Sequence, residues 1–265
     1  NMGISEADMM GTAAGLAASG FIPFVSTFGV FATGRAYDQV RNSIAYTKLN
    51  VKIVATHTGI TVGEDGASHQ ALEDIALMRV LPNMTVVVPA DGRQTYQAVE
   101  AIARCSGPVY LRLGRPKVPV VIPEGLPFEL GKAQLLKDGK DLAFIATGIT
   151  VKPALEAAKL LESEKISAAV VNMHTIKPLD KELLLEMAQK TGTLVTVEEH
   201  SVIGGLGSAV AELVSENFPV PVIRVGINDT FGESGTPEAL LKKYGLTAEN
   251  LILAGKAALQ KKKEI

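Results

Sequence analysis

The chain reads as an α/β protein built from two three-layer α/β/α units in succession. Three observations carry that reading. Short apolar, strand-like runs alternate with helix-like stretches from end to end. The composition is rich in Ala, Val, Ile, Leu and Gly and contains no Trp, which suits closely packed helices on sheets. A proline-studded stretch without helical period interrupts the alternation near the middle. A length of 265 residues, 47% of them hydrophobic, provides enough apolar chain for two cores.

In order, Ser5 to Ser19 reads as a helix of small residues, Phe21 to Val25 as a strand and Ala36 to Leu49 as an amphipathic helix. Strand Lys52 to Thr56 follows, then a Gly/His loop, helix Ala71 to Val80, strand Thr85 to Val88, helix Gly92 to Arg104 and strand Val109 to Leu113. Pro116, Pro119, Pro123 and Pro127 fix extended backbone, so the first unit is placed at residues 1–115 and a linker at 116–130. The second unit, residues 131–265, repeats the alternation. Strand Leu142 to Ala146 leads through Thr147-Gly-Ile-Thr into helix Val151 to Ser163. Strand Ser167 to Asn172, helix Lys181 to Lys190, strand Thr193 to Val197, helix Gly207 to Asn217 and strand Val222 to Val225 come next. Helices near Pro237 to Tyr244 and Ala248 to Lys261 complete it.

The uncharged run Met9 to Gly34 has the length of a membrane span, but Pro23 and its glycines split it into a helix and a strand. Neither a membrane segment nor a signal peptide is expected, since no basic region precedes it. Net charge is −2 and the only block of like charge is Lys261-Lys-Lys, which speaks against a nucleic-acid partner. A single cysteine, Cys105, excludes an internal disulfide and fits a reducing, cytoplasmic setting. Positive mean hydropathy points to apolar surface meant for another chain.

The richest stretch runs from His57 to His69, with an acidic pair ending in Asp65 and three glycines between. It starts where strand Lys52 to Thr56 ends, the usual ligand position in open α/β sheets. His57, Asp65 and His69 are candidates for hydrogen bonds to a polar substrate, for a metal site, or for structural loop contacts. Glu6 sits just inside a helix among apolar residues. It is either a helix-start acid favoured by the dipole and capped from Ser5, or a partly buried carboxyl that shares a proton with a ligand base. Phe28 and Phe31 flank a glycine; they serve a core or hold a flat heteroaromatic ring. In Arg112-Leu-Gly-Arg115-Pro, an arginine at a strand exit suits a phosphate or carboxylate, or lies simply on the surface. Gly204-Gly-Leu-Gly207 lacks dinucleotide-loop spacing and reads as close helix packing or a helix N-terminus contact.

Taken together these segments resemble the C-terminal half of transketolase over essentially the whole chain. Gly3-Ile-Ser-Glu6-Ala-Asp-Met matches the segment around that family's catalytic glutamate, with Ala7-Asp8 where Gln-Asn is usual. Thr27-Phe28-Gly-Val-Phe31 and Arg35-Ala-Tyr-Asp-Gln39 match the pyrimidine-stacking segment, and His57 to Gln70 the substrate loop. Leu81-Pro-Asn-Met to Asp91, Arg112 to Pro116, Thr175 to Asp180 and Glu198-Glu-His200 follow in the family's order.

The resemblance implies a thiamine-diphosphate pyrimidine-binding domain followed by a transketolase C-terminal domain. It further implies that Glu6 bonds the pyrimidine N1′ and that Phe28 and Phe31 clamp the ring. His57, Asp65 and His69 would hydrogen-bond sugar hydroxyls, His57 and His69 also acting in catalysis, while Arg115 would bind a terminal phosphate. The reaction would pass a two-carbon ketol group from a ketose phosphate to an aldose phosphate, as in the pentose phosphate pathway. No Gly-Asp-Gly with a downstream Asn occurs, the family's means of binding the Mg²⁺-diphosphate, and the initial strand and helix of a pyrimidine domain are absent. A fragment or a subunit of a split transketolase is therefore expected. It would be inactive alone, with Mg²⁺ held through a partner's diphosphate-binding domain and with self-association to a dimer or heterotetramer. Alternatives are a deoxyxylulose-phosphate synthase, which usually has an acid where His57 stands, a 2-oxoacid dehydrogenase beta subunit, and a non-catalytic assembly partner.

Overall fold

The computed structural model describes residues 1–264. Its first sheet has the order β1-β2-β4-β3-β8, with β1 Phe24–Phe28, β2 Lys52–Thr56, β3 Thr85–Val87, β4 Val109–Arg112 and β8 Thr175–Lys177. The first four strands are parallel. The second sheet has the order β10-β9-β6-β7-β5, with β5 Gln134–Lys137, β6 Leu142–Ala146, β7 Ala168–Asn172, β9 Leu194–Ser201 and β10 Val222–Ile227. Its edge strand β5 runs antiparallel and the rest are parallel. Helices α1 Glu6–Ala18, α2 Asp74–Val80 and α3 Gly92–Arg104 cover the first sheet. Helices α4 Val151–Glu162, α5 Lys181–Thr191, α6 Leu206–Asn217, α7 Pro237–Lys243 and α8 Ala248–Lys263 belong to the second half.

β6, β7 and all of β9 but Ser201 are buried, and β6 and β7 read as apolar runs because helices cover both faces of that sheet. Among the described residues no helix is long and apolar enough to cross a membrane. The apolar run Met9 to Gly34 instead forms α1, β1 and a wound segment beyond it.

Four elements depart from the sequence reading. The first strand lies at Phe24–Phe28, three residues later than expected, because Pro23 has no N–H for the ladder and Phe21 and Ile22 face solvent. The expected amphipathic helix from Ala36 begins earlier and contains two π-helical stretches, Phe31–Arg35 and Gln39–Ala45. Bonds such as Ala36 N to Phe31 O (3.2 Å) and Leu49 N to Ile44 O (3.1 Å) span five residues. Strand β5 was not anticipated. Nor was β8, which leaves the second half to pair antiparallel with β3 of the first sheet through Val86–Lys177 and Val87–Thr175.

The two sheets are further joined by polar contacts. Asp91 caps α3 through the Gln94 amide (2.9 Å) and with its other oxygen accepts the amides of Val121 (2.7 Å) and Ile122 (2.8 Å), pinning the linker. Gln94, Gln134 and Asn172 form a buried amide cluster at 2.8–3.1 Å. Beside it His174, fully buried, stacks on Phe128 with centroids 4.2 Å apart, and its Nε2 has no partner.

Burial pushes the His174 pKa down from 6.5 to about 4. Between those values the unfolded chain holds a proton that the folded chain refuses, so stability falls as pH drops through that window. His174→Gln is expected to remove up to about 3 kcal/mol of that acid sensitivity, from one buried imidazole alone. Urea titrations at two pH values inside and above the window read it directly; an unchanged pH dependence would count against the assignment.

Candidate functional site

The carboxyl end of β1 and β2 gathers the sequence candidates on one face. Phe28 is the last residue of β1 and His57 the first after β2, and the two rings stack with centroids 3.9 Å apart and planes 6° from parallel. Phe31 lies 6.0 Å from Phe28 and nearly parallel to it. His69 meets Phe31 edge-on at 5.4 Å and Phe28 at 6.3 Å. His57 adopts φ of 56°, a left-handed conformation that costs a non-glycine residue energy and is often retained at functional positions. Its Nδ1 lies 2.9 Å from Thr56 Oγ1, which leaves Nε2 for a ligand. Burial and the nearby Arg115 lower its pKa against an opposing pull from Asp65, so the ring is neutral near pH 7.

Between the histidines, Ile60–Asp65 winds as 3-10 turns that bring Asp65 to Arg115 (3.2 Å). Arg115 also donates to Val62 O at 2.6 Å. This pair is about 40% exposed on both sides, so an incoming anion can displace it at little cost. Arg112, three positions before Arg115 in the same strand-exit motif, is not free for a ligand. It is buried and paired with Asp74 through Nε (2.7 Å) and Nη2 (3.1 Å), which removes it from the oxyanion-binding reading.

Glu6 opens α1 and is nearly buried. Ser5 occupies the N-cap position but makes no side-chain capping bond, so the expected cap from Ser5 is not formed. The carboxylate pairs instead with Arg35 at 3.0 Å, whose guanidinium also lies 4.4 Å above the Phe31 ring. Arg35 thus ties the acid to the aromatic face. The motif containing it was legible, but a partner 29 residues away was not. Among the described residues no three His, Cys, Asp or Glu side chains cluster as a metal ion requires, and His57, Asp65 and His69 do not converge that way. A cleft of about 510 Å³ lined by Arg79, Lys177 and Glu212 contains none of these groups. There Arg79 pairs with Glu212, and Lys177 holds the Arg79 and Leu81 carbonyls.

Beneath the loop lies Glu198-Glu-His200 of β9. Glu198 accepts the amides of Leu206 (2.7 Å) and Gly207 (2.8 Å), so Gly204-Gly-Leu-Gly207 opens a helix whose N-terminus holds the chain's own carboxylate. A Cβ on Gly205 would fall 2.0 Å from that carboxylate. His200 Nε2 accepts from the Ala76 amide (3.3 Å) while Nδ1 faces the Ser201 carbonyl (2.7 Å).

Comparison with known proteins gives a family to this arrangement. The family described as transketolase, pyrimidine binding domain, matches residues 1–120, and transketolase, C-terminal domain, matches 131–251. A putative transketolase C-terminal section from Methanocaldococcus jannaschii is 51% identical over 95% of this chain and 79% of that protein. A 6-deoxy-6-sulfo-D-fructose transketolase subunit from a Clostridium species is 48% identical over 99% of this chain and 81% of that subunit. Rat transketolase is 38% identical over 97% of this chain, which spans 42% of the rat enzyme. A solved split gene transketolase, described as an inactive beta4 tetramer, has a TM-score of 0.94 and 60% identity, covering 99% of this chain and 84% of that one. The two α/β units are thus those of a transketolase pyrimidine-binding domain followed by a C-terminal domain. The chain belongs to the transketolase family.

Proposed function

We propose that this chain is the pyrimidine-side subunit of a split transketolase. It would move a two-carbon ketol group from a ketose phosphate to an aldose phosphate, with a partner subunit supplying the diphosphate-binding domain. The observation that carries the reading is a single face where a buried acid, two aromatic rings, two histidines and an Asp–Arg pair from separate segments converge. The named subunit and split-gene relatives support the division of labour.

Thiamine diphosphate fits this face at its pyrimidine end: Glu6 offers a desolvated carboxylate for N1′, and Phe28 and Phe31 offer flat apolar walls. When bound it would supply the nucleophilic carbon that attacks a ketose carbonyl. Mg²⁺ and the diphosphate would be held through the partner. Glu6 must exchange Arg35 for the pyrimidine nitrogen. Neutral His57, fixed through Nδ1, would present Nε2 to a sugar hydroxyl, with His69 and Asp65 orienting the neighbouring hydroxyls. Arg115 would release Asp65 to bind the terminal phosphate, its planar fork matching that anion.

Mixing the chain with a diphosphate-domain subunit, thiamine diphosphate and Mg²⁺ is expected to give ketol transfer between sugar phosphates. Turnover by this chain alone, or none with a complete partner, would overturn the proposal. Pyruvate offered as donor separates it from deoxyxylulose-phosphate synthase chemistry, and no product is expected from it.

A further inference from the structure

The sugar-facing loop belongs to the first sheet, yet the second half holds much of it. Glu199, buried in β9, reaches across to accept the Thr61 amide at 2.7 Å with Oε1. Its carboxyl fills the space beside Gly59, where a Cβ would lie 2.2 Å from Glu199 Cδ, and Gly59 has φ of 75°, open to glycine at no strain. The backbone oxygen of Glu199 is held by Arg112 Nη2 (2.9 Å), so the buried Arg112–Asp74 pair fixes the strand that carries it. On the loop's other side, Gln70 Nε2 donates to Ile60 O (3.1 Å), Gly63 O (3.3 Å) and Glu233 O (2.9 Å). Gly63 abuts the Gly235 carbonyl and Pro237, and Gly66 leaves 2.6 Å between a Cβ and Ser234 Oγ. Glycines therefore stand at three points where residues 199 and 234–237 come closest to the loop.

We infer that Glu199 is a positioning residue, acting from the second unit through the Thr61 amide to set the 3-10 turns that deliver His57 and Asp65 to substrate. It touches no reacting group. The loop begins and ends at residues assigned to the sugar, and Glu199 grips it just after the strained His57. Without that grip Thr61 N–H loses its buried acceptor and the turns lose their floor under Gly59. Burial pushes the Glu199 carboxyl up to about 7, with Arg112 pulling the other way, so a neutral amide of the same shape is a fair substitute.

The catalytic part of this inference rests on the transketolase reading; the mechanical part does not, and the test separates them. Hydrogen exchange on the isolated chain reads the loop without any reaction. Glu199→Ala is expected to raise exchange in residues 57–70 by about tenfold or more, the loss expected when one buried amide is left without its acceptor, and to leave β6 and β7 unchanged. Glu199→Gln should stay close to wild type. Should the alanine variant fail to fold, Glu199→Asp withdraws the carboxylate by one methylene and is expected to loosen the same loop. In the complex with the diphosphate-domain subunit, the loosened variant should lose kcat/KM for the ketose phosphate by a similar factor, keep its affinity for thiamine diphosphate, and recover with glutamine. Wild-type loop exchange in a folded Ala or Asp variant would overturn the inference. So would equal losses in the Ala and Gln variants, or a loosened loop with unchanged kcat/KM. A wild-type complex that transfers no ketol group while Glu199→Ala still loosens the loop would sink the functional reading and leave the brace standing.

Discussion

Glu6→Gln is expected to slow proton exchange at C2 of bound thiamine diphosphate by about two to four orders of magnitude in the complex with a diphosphate-domain subunit, the usual reach of a positioned acid or base. The amide preserves size but cannot share a proton with the pyrimidine N1′. Because Glu6 is nearly buried at the start of α1, a hydrogen bond it makes to a ligand base is shielded from competing water. Wild-type exchange measured by NMR in deuterated buffer would remove the role assigned to Glu6. Removing Arg35, which pairs with Glu6 here, should by contrast leave exchange largely intact, since under the proposed function the pyrimidine nitrogen takes the place of that guanidinium.

The second large effect concerns stability. Asp74 is fully buried and accepts from Tyr110 Oη (2.6 Å) and from Arg112 Nε and Nη2. Asp74→Ala leaves a buried guanidinium without its counter-charge and is expected to cost about 3–5 kcal/mol. Replacing Asp74 and Arg112 together by Leu and Met should cost far less, because no charge is then stranded. Chemical denaturation of the two variants beside wild type decides the matter; a loss below about 1 kcal/mol in Asp74→Ala, the worth of an ordinary surface pair, would refute it. Burial alone would raise the Asp74 pKa, but Arg112 and the hydroxyl of Tyr110 hold it below 3.8. A depressed carboxyl stabilises the fold above its unfolded pKa, so this contribution persists at neutral pH and disappears as pH falls through the folded value.

Much of the architecture was legible because parallel strands buried on both faces announce themselves as apolar runs, as at Leu142 to Ala146 and Lys52 to Thr56. The turn chemistry around His57 to His69 was equally plain. What stayed hidden depends on long-range geometry. β8 is three residues long and stops at Pro178, too short to show a period. The π-helical stretches follow from local five-residue bonds that no residue pattern specifies. Arg112 and Arg115 sit three positions apart in one motif, yet one is sealed under the loop and the other lies at its mouth. Alternation along an extended chain cannot say which side of β4 meets Asp74. Glu199 was visible only as half of an acidic pair, because its target lies 138 residues away.

The antiparallel strand that the second half lends to the first sheet bears on how such a gene can be divided. Cutting at the proline-rich strap would strip β3 of its neighbour and leave a row of open amides and carbonyls beside apolar Val86 and Val87, a template for unwanted pairing. Recombination that separates these two modules is thereby penalised at the level of solubility.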